Sequence, residues 1–270
     1  MTRNARLATD DLTGLLGGVR SAAVRAGDAI VALARGGACE AWSKSDDSPL
    51  TAADLAANAI IAGALHELDP HTVVISEESV CELDVLPRRF WLVDPLDGTR
   101  EFLAGNGEYT VNIALVEDGV PVLGVVHAPA RGATYAAARG AGATCSDARG
   151  TTAVRANAHG PLVVVASRSH PSPSLAAFLA ALPPHAVVEL GSSLKLCLVA
   201  DGSAQLYPRL GPTCWWDTAA AHAVVIESGA HVATLDGAPL RYHGRGTLNP
   251  SFVCSALPYD AWAAAARAVA

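Results

Sequence analysis

Apolar positions recur at helical spacing from residue 11 to about residue 34, which predicts a long N-terminal helix ended by Gly36-Gly37. After a loop containing Ser48-Pro49, residues 51–68 repeat that spacing and carry Asp54 near the start of a second helix. Residues 73–75 predict a short strand leading into Ser76-Glu77-Glu78-Ser79, and residues 90–93 predict another that runs straight into an acidic turn. Two apolar runs, 111–116 and 122–127, flank Glu117-Asp118-Gly119-Val120 and predict a hairpin. The Gly-, Ala- and Arg-rich stretch 139–152 reads as an exposed connection. Beyond about Asn157 strands and helices alternate: strands at 162–166, 187–190 and 204–207, helices at 174–182, 193–200 and 217–228. The predicted fold class is α/β, with an α+β half over residues 1–157 and a layered α/β half over 158–270.

With 51% hydrophobic and 17% charged residues in 270, the chain has ample material for a buried core and is not of a disordered class. Nineteen basic against 26 acidic residues give a net charge of −7, which argues against a general nucleic-acid binder. The six cysteines, Cys39, Cys81, Cys145, Cys197, Cys214 and Cys254, form no C-x-x-C pair and read as reduced thiols of a cytoplasmic protein. The first residues lack a secretory apolar core, and no uninterrupted apolar run predicts a transmembrane segment. Peripheral association with the inner face of the cell membrane stays open.

The chemistry concentrates in Asp94-Pro95-Leu96-Asp97-Gly98-Thr99. Pro95 biases Asp94 toward an extended conformation, Gly98 permits a tight turn, and Thr99 can open a new helix or loop. Both carboxylates and the Leu96 carbonyl thus converge at a sheet end, three hard oxygen donors that suit Mg²⁺. Asp54, Glu77 and Asp217 each add a carboxylate beside a turn. Singly, a helix cap explains Asp54 or Asp217, and a solvated loop explains Glu77. Asp94 resists such a reading, because an unpaired charge directly after a buried strand is costly. As a set, these acids suit two divalent ions that share carboxylates, hold a phosphate and activate a water for in-line attack. A helix start after Gly98-Thr99 would add N–H donors for the phosphate oxygens.

Asp94-Pro-Leu-Asp-Gly-Thr-Arg-Glu-Phe102 resembles the first signature of the inositol monophosphatase superfamily of Mg²⁺-dependent, lithium-sensitive phosphatases, and Trp216-Asp-Thr-Ala-Ala220 resembles the second. Ser76-Glu-Glu-Ser79 is similar to the acidic segment upstream of them. The resemblance narrows to the CysQ-type 3'(2'),5'-bisphosphate nucleotidases through the segment from Lys44 to Asp54, Gly107-Glu-Tyr-Thr-Val-Asn-Ile-Ala114, Ser167-Arg-Ser-His170, Gly191-Ser-Ser-Leu-Lys195, Ala204-Gln-Leu-Tyr-Pro-Arg209 and Gly211-Pro-Thr213. It departs at Cys214-Trp215, where many relatives carry other residues, and at Arg100, where Lys is common.

The resemblance implies an αβαβα sandwich and two to three Mg²⁺ ions. One ion would be held by Glu77, Asp94 and the Leu96 carbonyl, a second by Asp94, Asp97 and Asp217, with Asp94 bridging. It also implies that Asp54 and Thr99 pair and help Glu77 orient and deprotonate the attacking water, while the Gly98 and Thr99 amides hold the phosphate. Glu77, Leu96, Asp97, Gly98, Thr99 and Asp217 would then contact substrate as well.

Specificity is less sharply written. Arg168 and His170, with Ser167, form either a nucleotide-side wall, taking a second phosphate or base and the sugar, or an ordinary loop after a strand. Ser192 and Ser193 either cap a helix or help bind an anion, and Lys195 is either a substrate contact or a solvated side chain. His127 and His222 read as packed or surface histidines, since Mg²⁺ selects oxygen, and Trp215, Trp216 and Tyr207 as core. The implied reaction is hydrolysis of adenosine 3',5'-bisphosphate to AMP and phosphate, with the 5'-phosphosulfate analogue as a further substrate, in sulfate assimilation and nucleotide recycling. Two alternatives are an inositol-1-phosphate phosphatase and a metal-stabilised scaffold without turnover. A segment between residues 34 and 51 is a candidate lid that would bring Lys44 to the metals.

Overall fold

Leu12, Val19, Ala22, Ala23, Ala26 and Ile30 form one buried stripe along helix α1 (Thr9–Arg35), the expected N-terminal helix. The computed structural model describes residues 9–36, 41–43, 49–79, 85–169 and 172–269. Strands β1 (Ala41–Ser43) and β2 (Pro49–Thr51) form a small antiparallel ribbon, and Lys44 of the candidate lid lies outside the described residues. Thr51 caps helix α2 (Ala52–Leu68) reciprocally: its hydroxyl accepts the Ala53 N–H at 3.2 Å, and Asp54 Oδ2 accepts the Thr51 N–H at 2.8 Å.

The first sheet collects β3 (Val73–Ser76) and β4 (Arg89–Asp97), then, after the short helix α3 (Thr99–Leu103), β5 (Thr110–Glu117), β6 (Val120–Ala128), β7 (Ala133–Ala138), β8 (Gly142–Asp147) and β9 (Gly150–Val154). Its strands lie in sequence order, β3 and β4 parallel and the rest antiparallel. Both faces are covered. On β4, Trp91 and Val93 join the cluster under α1 and α2, whereas Phe90 and Leu92 join the cluster on the opposite face, as the two-residue period of a strand requires. Covering both faces is why residues 90–93 read as a continuous apolar run.

The exposed connection expected over 139–152 is instead the β8–β9 hairpin, and β7 before it was not predicted. Gly140, Gly142 and Gly150 take positive φ at the turns. The strands between them carry Thr144, Ser146, Thr151 and Thr152 on an edge where one face meets solvent, so apolar alternation is weak there.

The second sheet contains β10 (Leu162–Ser167), followed by helix α4 (Pro173–Ala180), β11 (His185–Leu190), helix α5 (Leu194–Ala200), β12 (Leu206–Arg209), helix α6 (Ala219–Ser228), β13 (His231–Thr234) and β14 (Phe252–Ser255), and helix α7 (Ala263–Arg267) closes the chain. Its order is β11-β10-β12-β14-β13; β10 runs parallel to both neighbours, and β14 is antiparallel to β12 and β13. The alternation read from the sequence thus gives the parallel part, while the antiparallel edge of β13 and β14 escaped it. Layers follow in the expected αβαβα order: α1 and α2, the seven-stranded sheet, α5 and α6, the five-stranded sheet, then α4 and α7. The strands divide between residues 154 and 162, but the core does not, since α6 packs on β5, β6, β7 and β8.

That packing depends on Gly124 of β6. A Cβ there would stand 2.2 Å from the Ala220 carbonyl oxygen and 2.7 Å from Ala223 Cβ of α6. Gly124→Ala is expected to destabilise the protein at the upper end of the ~1–3 kcal/mol typical of overpacking, read as a lower urea midpoint at unchanged slope.

Candidate active site

β4 delivers the acidic turn through a register shift between Asp94 and Asp97: Asp94 pairs with Asn112 and Asp97 with Thr110 of β5. The irregularity buries the Leu96 side chain in the core, and the Leu96 carbonyl accepts the Thr99 hydroxyl at 3.3 Å. Gly98 then takes φ 89°, where a Cβ would come within 3.1 Å of the Glu108 carbonyl. α3 begins here, and first-turn amides have no intrahelical acceptor.

Glu77 follows β3, the parallel neighbour of β4, and Asp217 stands two residues before α6. Glu77, Asp94 and Asp217 each offer an oxygen within 4.8 Å of the others'. Asp97 lies beside this trio, and its Oδ2 accepts the Ser193 N–H at 2.5 Å and the Asn112 amide at 3.4 Å. The Ser193 hydroxyl is not a cap; it donates to Asn112 Oδ1 at 2.8 Å and lies 2.9 Å from the Thr110 hydroxyl. Asp217 Oδ2 accepts the Cys214 N–H at 2.9 Å.

Burial, reinforced by Glu77, Asp97, Asp217 and Asp54, raises the Asp94 pKa well above the carboxylate range. Burial also raises Asp217 to about 8, with Asp97 adding to the shift. Asp97 rises to about 6 because burial outweighs the opposing Lys195 charge and the Ser193 N–H. Carboxylates crowded this closely around buried Asp94 resist ionising together unless cations join them, and an all-oxygen donor set fits a hard divalent metal.

A cleft of about 260 Å³ opens beside the acids, lined among others by Asp97, Gly98, Thr99, Ser167, Ser192, Lys195 and Asp217. Lys195 is buried rather than solvated; its Nζ donates to the Ser192 carbonyl at 2.5 Å and lies 5.7 Å from the Tyr207 ring centroid. Desolvation lowers its pKa to about 8 against the pull of Asp97. Arg209, absent from the residues singled out by sequence, lines the same cleft, and its buried Nε has no partner among the described residues. Its place in the Ala204–Arg209 motif was the available signal. Thr110 and Asn112 were likewise passed over, although the Gly107–Ala114 motif contains them.

Asp54 Oδ2 takes the Thr51 N–H and hydroxyl at 2.8 and 2.6 Å, the cap that the sequence allowed. Arg168 is paired with Glu108 and does not line the cleft, and His170 lies outside the described residues. His127 is buried against the Thr134 hydroxyl at 2.8 Å and His222 against Tyr242 at 3.1 Å, both packed as expected. Trp215, Trp216 and Tyr207 are core, and Cys145, Cys197, Cys214 and Cys254 are free thiols. Among the described residues no helix is long and apolar enough to cross a membrane.

Residues 14–269 match the profile of the inositol monophosphatase family. The 3'(2'),5'-bisphosphate nucleotidase CysQ of Escherichia coli K12 is 49% identical over 231 residues, which cover 84% of this chain and 94% of that one. The crystal structure of CysQ from Bacteroides thetaiotaomicron superposes with a TM-score of 0.79 at 35% identity, covering 90% of this chain and 97% of that one. An inositol monophosphatase from Anabaena shares the fold, with a TM-score of 0.77 at 24% identity and 95% coverage of both chains.

Proposed function

Because this chain belongs to the inositol monophosphatase family, we propose that it is a divalent-metal-dependent phosphatase of nucleoside 3'(2'),5'-bisphosphates, converting adenosine 3',5'-bisphosphate to AMP and phosphate. One observation carries this reading: a single cleft joins Asp97 and Asp217 to three cationic side chains, Arg100, Lys195 and Arg209. A substrate with phosphates at both ends fits such a cleft better than a neutral sugar bearing one.

We assign Mg²⁺, in two to three ions, to Glu77, Asp94, the Leu96 carbonyl, Asp97 and Asp217, on the hardness of these donors. Bound there, it would neutralise phosphoryl charge and make water more acidic. The chain's own groups do the rest. Glu77 accepts the proton of the attacking water, Thr99 and Asp54 orient it, and the Gly98 and Thr99 amides hold the phosphoryl oxygens. Asp97 stays fixed by Ser193 and Asn112. Ser167, Ser192, Lys195 and Arg209 take the distal part of the nucleotide. On this reading residues 1–157 supply most of the metal donors, and 158–270 supply Asp217 and the specificity wall. The free thiols suit a reducing compartment and so support a cytoplasmic setting.

The test is phosphate release from adenosine 3',5'-bisphosphate, its 5'-phosphosulfate analogue and inositol 1-phosphate at one Mg²⁺ concentration. The bisphosphate is expected to be preferred, and a large preference for inositol phosphate would replace this reading with the sugar phosphatase. Lys195→Met is expected to lower kcat/KM for the bisphosphate about a hundredfold, since hydrogen bonds to charged groups are worth roughly 1.5–3 kcal/mol.

A further inference from the structure

Arg168 is committed before any ligand arrives. Its Nε and Nη2 donate to Glu108 Oε2 and Oε1 at 3.0 and 2.9 Å, a two-point fork, and Nη2 also donates to the Glu189 carbonyl at 2.9 Å. Its backbone N–H donates to the Leu190 carbonyl at 3.3 Å. Glu108 comes from the N-terminal half, just ahead of β5, and its side chain is 11% exposed. The same Glu108 Oε2 accepts the Gly191 N–H at 2.8 Å, and Arg131 Nη2 stands 4.0 Å from Oε1. One residue beyond Arg168, the Ser169 hydroxyl donates to Glu101 of α3.

These contacts surround one elbow, Gly191-Ser192-Ser193, between β11 and α5. The N-terminal half presses so closely that a Cβ on Gly191 would lie 2.7 Å from Glu101 Cγ and 2.9 Å from the Glu108 carbonyl. Ser192 has φ 50°, a conformation that a non-glycine residue keeps only where its surroundings enforce it. From that elbow Ser193 sends its N–H to Asp97, and the Ser192 carbonyl receives Lys195.

We infer that Glu108 and Arg168 are positioning residues: their ion pair clamps the Gly191–Ser193 elbow onto the N-terminal half and thereby fixes Asp97, and Arg168 does not read a phosphate. The inference rests on the proposed phosphatase reading and deepens it. Losing either partner frees the elbow for every substrate. An arginine that bound a second phosphate would matter only to substrates that carry one, and Glu108 would then be indifferent.

Glu108→Gln and Arg168→Lys, alone and together, test this with Mg²⁺ and two substrates, adenosine 3',5'-bisphosphate and p-nitrophenyl phosphate. The expected result is a roughly 10- to 100-fold fall in kcat for both substrates with each single variant, the range typical of groups that orient metal ligands. The double variant should be no worse than the poorer single one, and the KM ratio between substrates should hold. Calorimetric Mn²⁺ binding should weaken in parallel, a readout that needs no turnover. A raised KM for the bisphosphate alone with Arg168→Lys, beside a silent Glu108→Gln, would overturn the inference. So would independent, multiplying losses, unaltered Mn²⁺ binding, or variants that fail to fold. If the wild-type protein ignored the bisphosphate, the substrate assignment would fall while the monoester and Mn²⁺ arms still judged the clamp.

Discussion

Asp94→Asn is expected to abolish phosphate release and at the same time to raise the denaturation midpoint of the chelated protein. Asp94 is 1% exposed and faces Glu77, Asp97, Asp217 and Asp54, all of the same sign. Asparagine has the same shape and can keep the 3.0 Å contact from the Leu96 N–H to Oδ1. What it removes is a carboxylate that burial and its neighbours disfavour. The same carboxylate is the central donor of the trio with Glu77 and Asp217, so metal retention and turnover go with it. The loss should exceed the roughly 10- to 100-fold typical of outer groups around a metal. Gains in stability from relieving a strained functional cluster are a common trade against activity. Thermal unfolding in chelator and phosphate release in Mg²⁺ check the two halves of the prediction. A chelated Asp94→Asn protein less stable than wild type would show that the acids are not in electrostatic conflict.

How much of this site the sequence discloses depends on range. Asp94-Pro95-Leu96-Asp97-Gly98 carries part of its own geometry, because proline, glycine and a preceding buried strand bias the local backbone, but the turn expected after residue 93 is an irregularity within β4, which runs on to Asp97. Glu77 and Asp217 were legible only as carboxylates beside turns, to which the resemblance added metal roles, and the fold is what brings them to Asp94. Contacts between far-apart loops left no such mark. Glu108 and Arg168 are 60 residues apart, and nothing in either segment announces their pairing, so the sequence left Arg168 open between a phosphate contact and an ordinary loop residue. β8 and β9 were missed for a different reason: a polar edge hairpin buries too little to produce alternation. Lys195 could not be told from a solvated lysine until β12 and Tyr207 were seen over it.

The second large effect concerns pH and metal together. In the chelated protein the folded Asp217 titrates at about 8 and Asp97 at about 6, against an ordinary value of 3.8. A carboxyl raised on folding holds a proton that the unfolded chain has released, so its contribution to stability is lost as pH rises through the raised value. Buried His222, lowered to about 3 from 6.5, acts in the opposite sense below pH 6.5, with His127 and His231 shifted the same way. Lys195, lowered to about 8 from 10.5, again favours the folded state as pH rises above 8. The window in which the carboxylates act alone is therefore pH 6.5 to 8. Asp97 has largely released its proton below this window, so the loss of stability there comes from Asp217 and Asp94, with a slope of up to about 1.4 kcal/mol per pH unit per group and less than additive because the two share protons. Saturating Mg²⁺ should abolish the slope, since the ligated carboxylates are ionised in the folded protein as they are in the unfolded chain, and ligation stabilises only the folded chain. Denaturant titrations across that window, with chelator and with Mg²⁺, should give curves that diverge toward pH 8. Asp217→Asn, which retains every histidine, should flatten the chelated curve. A wild-type chelated protein that gained stability from pH 6.5 to 8 would mean that these carboxylates are already ionised without a cation.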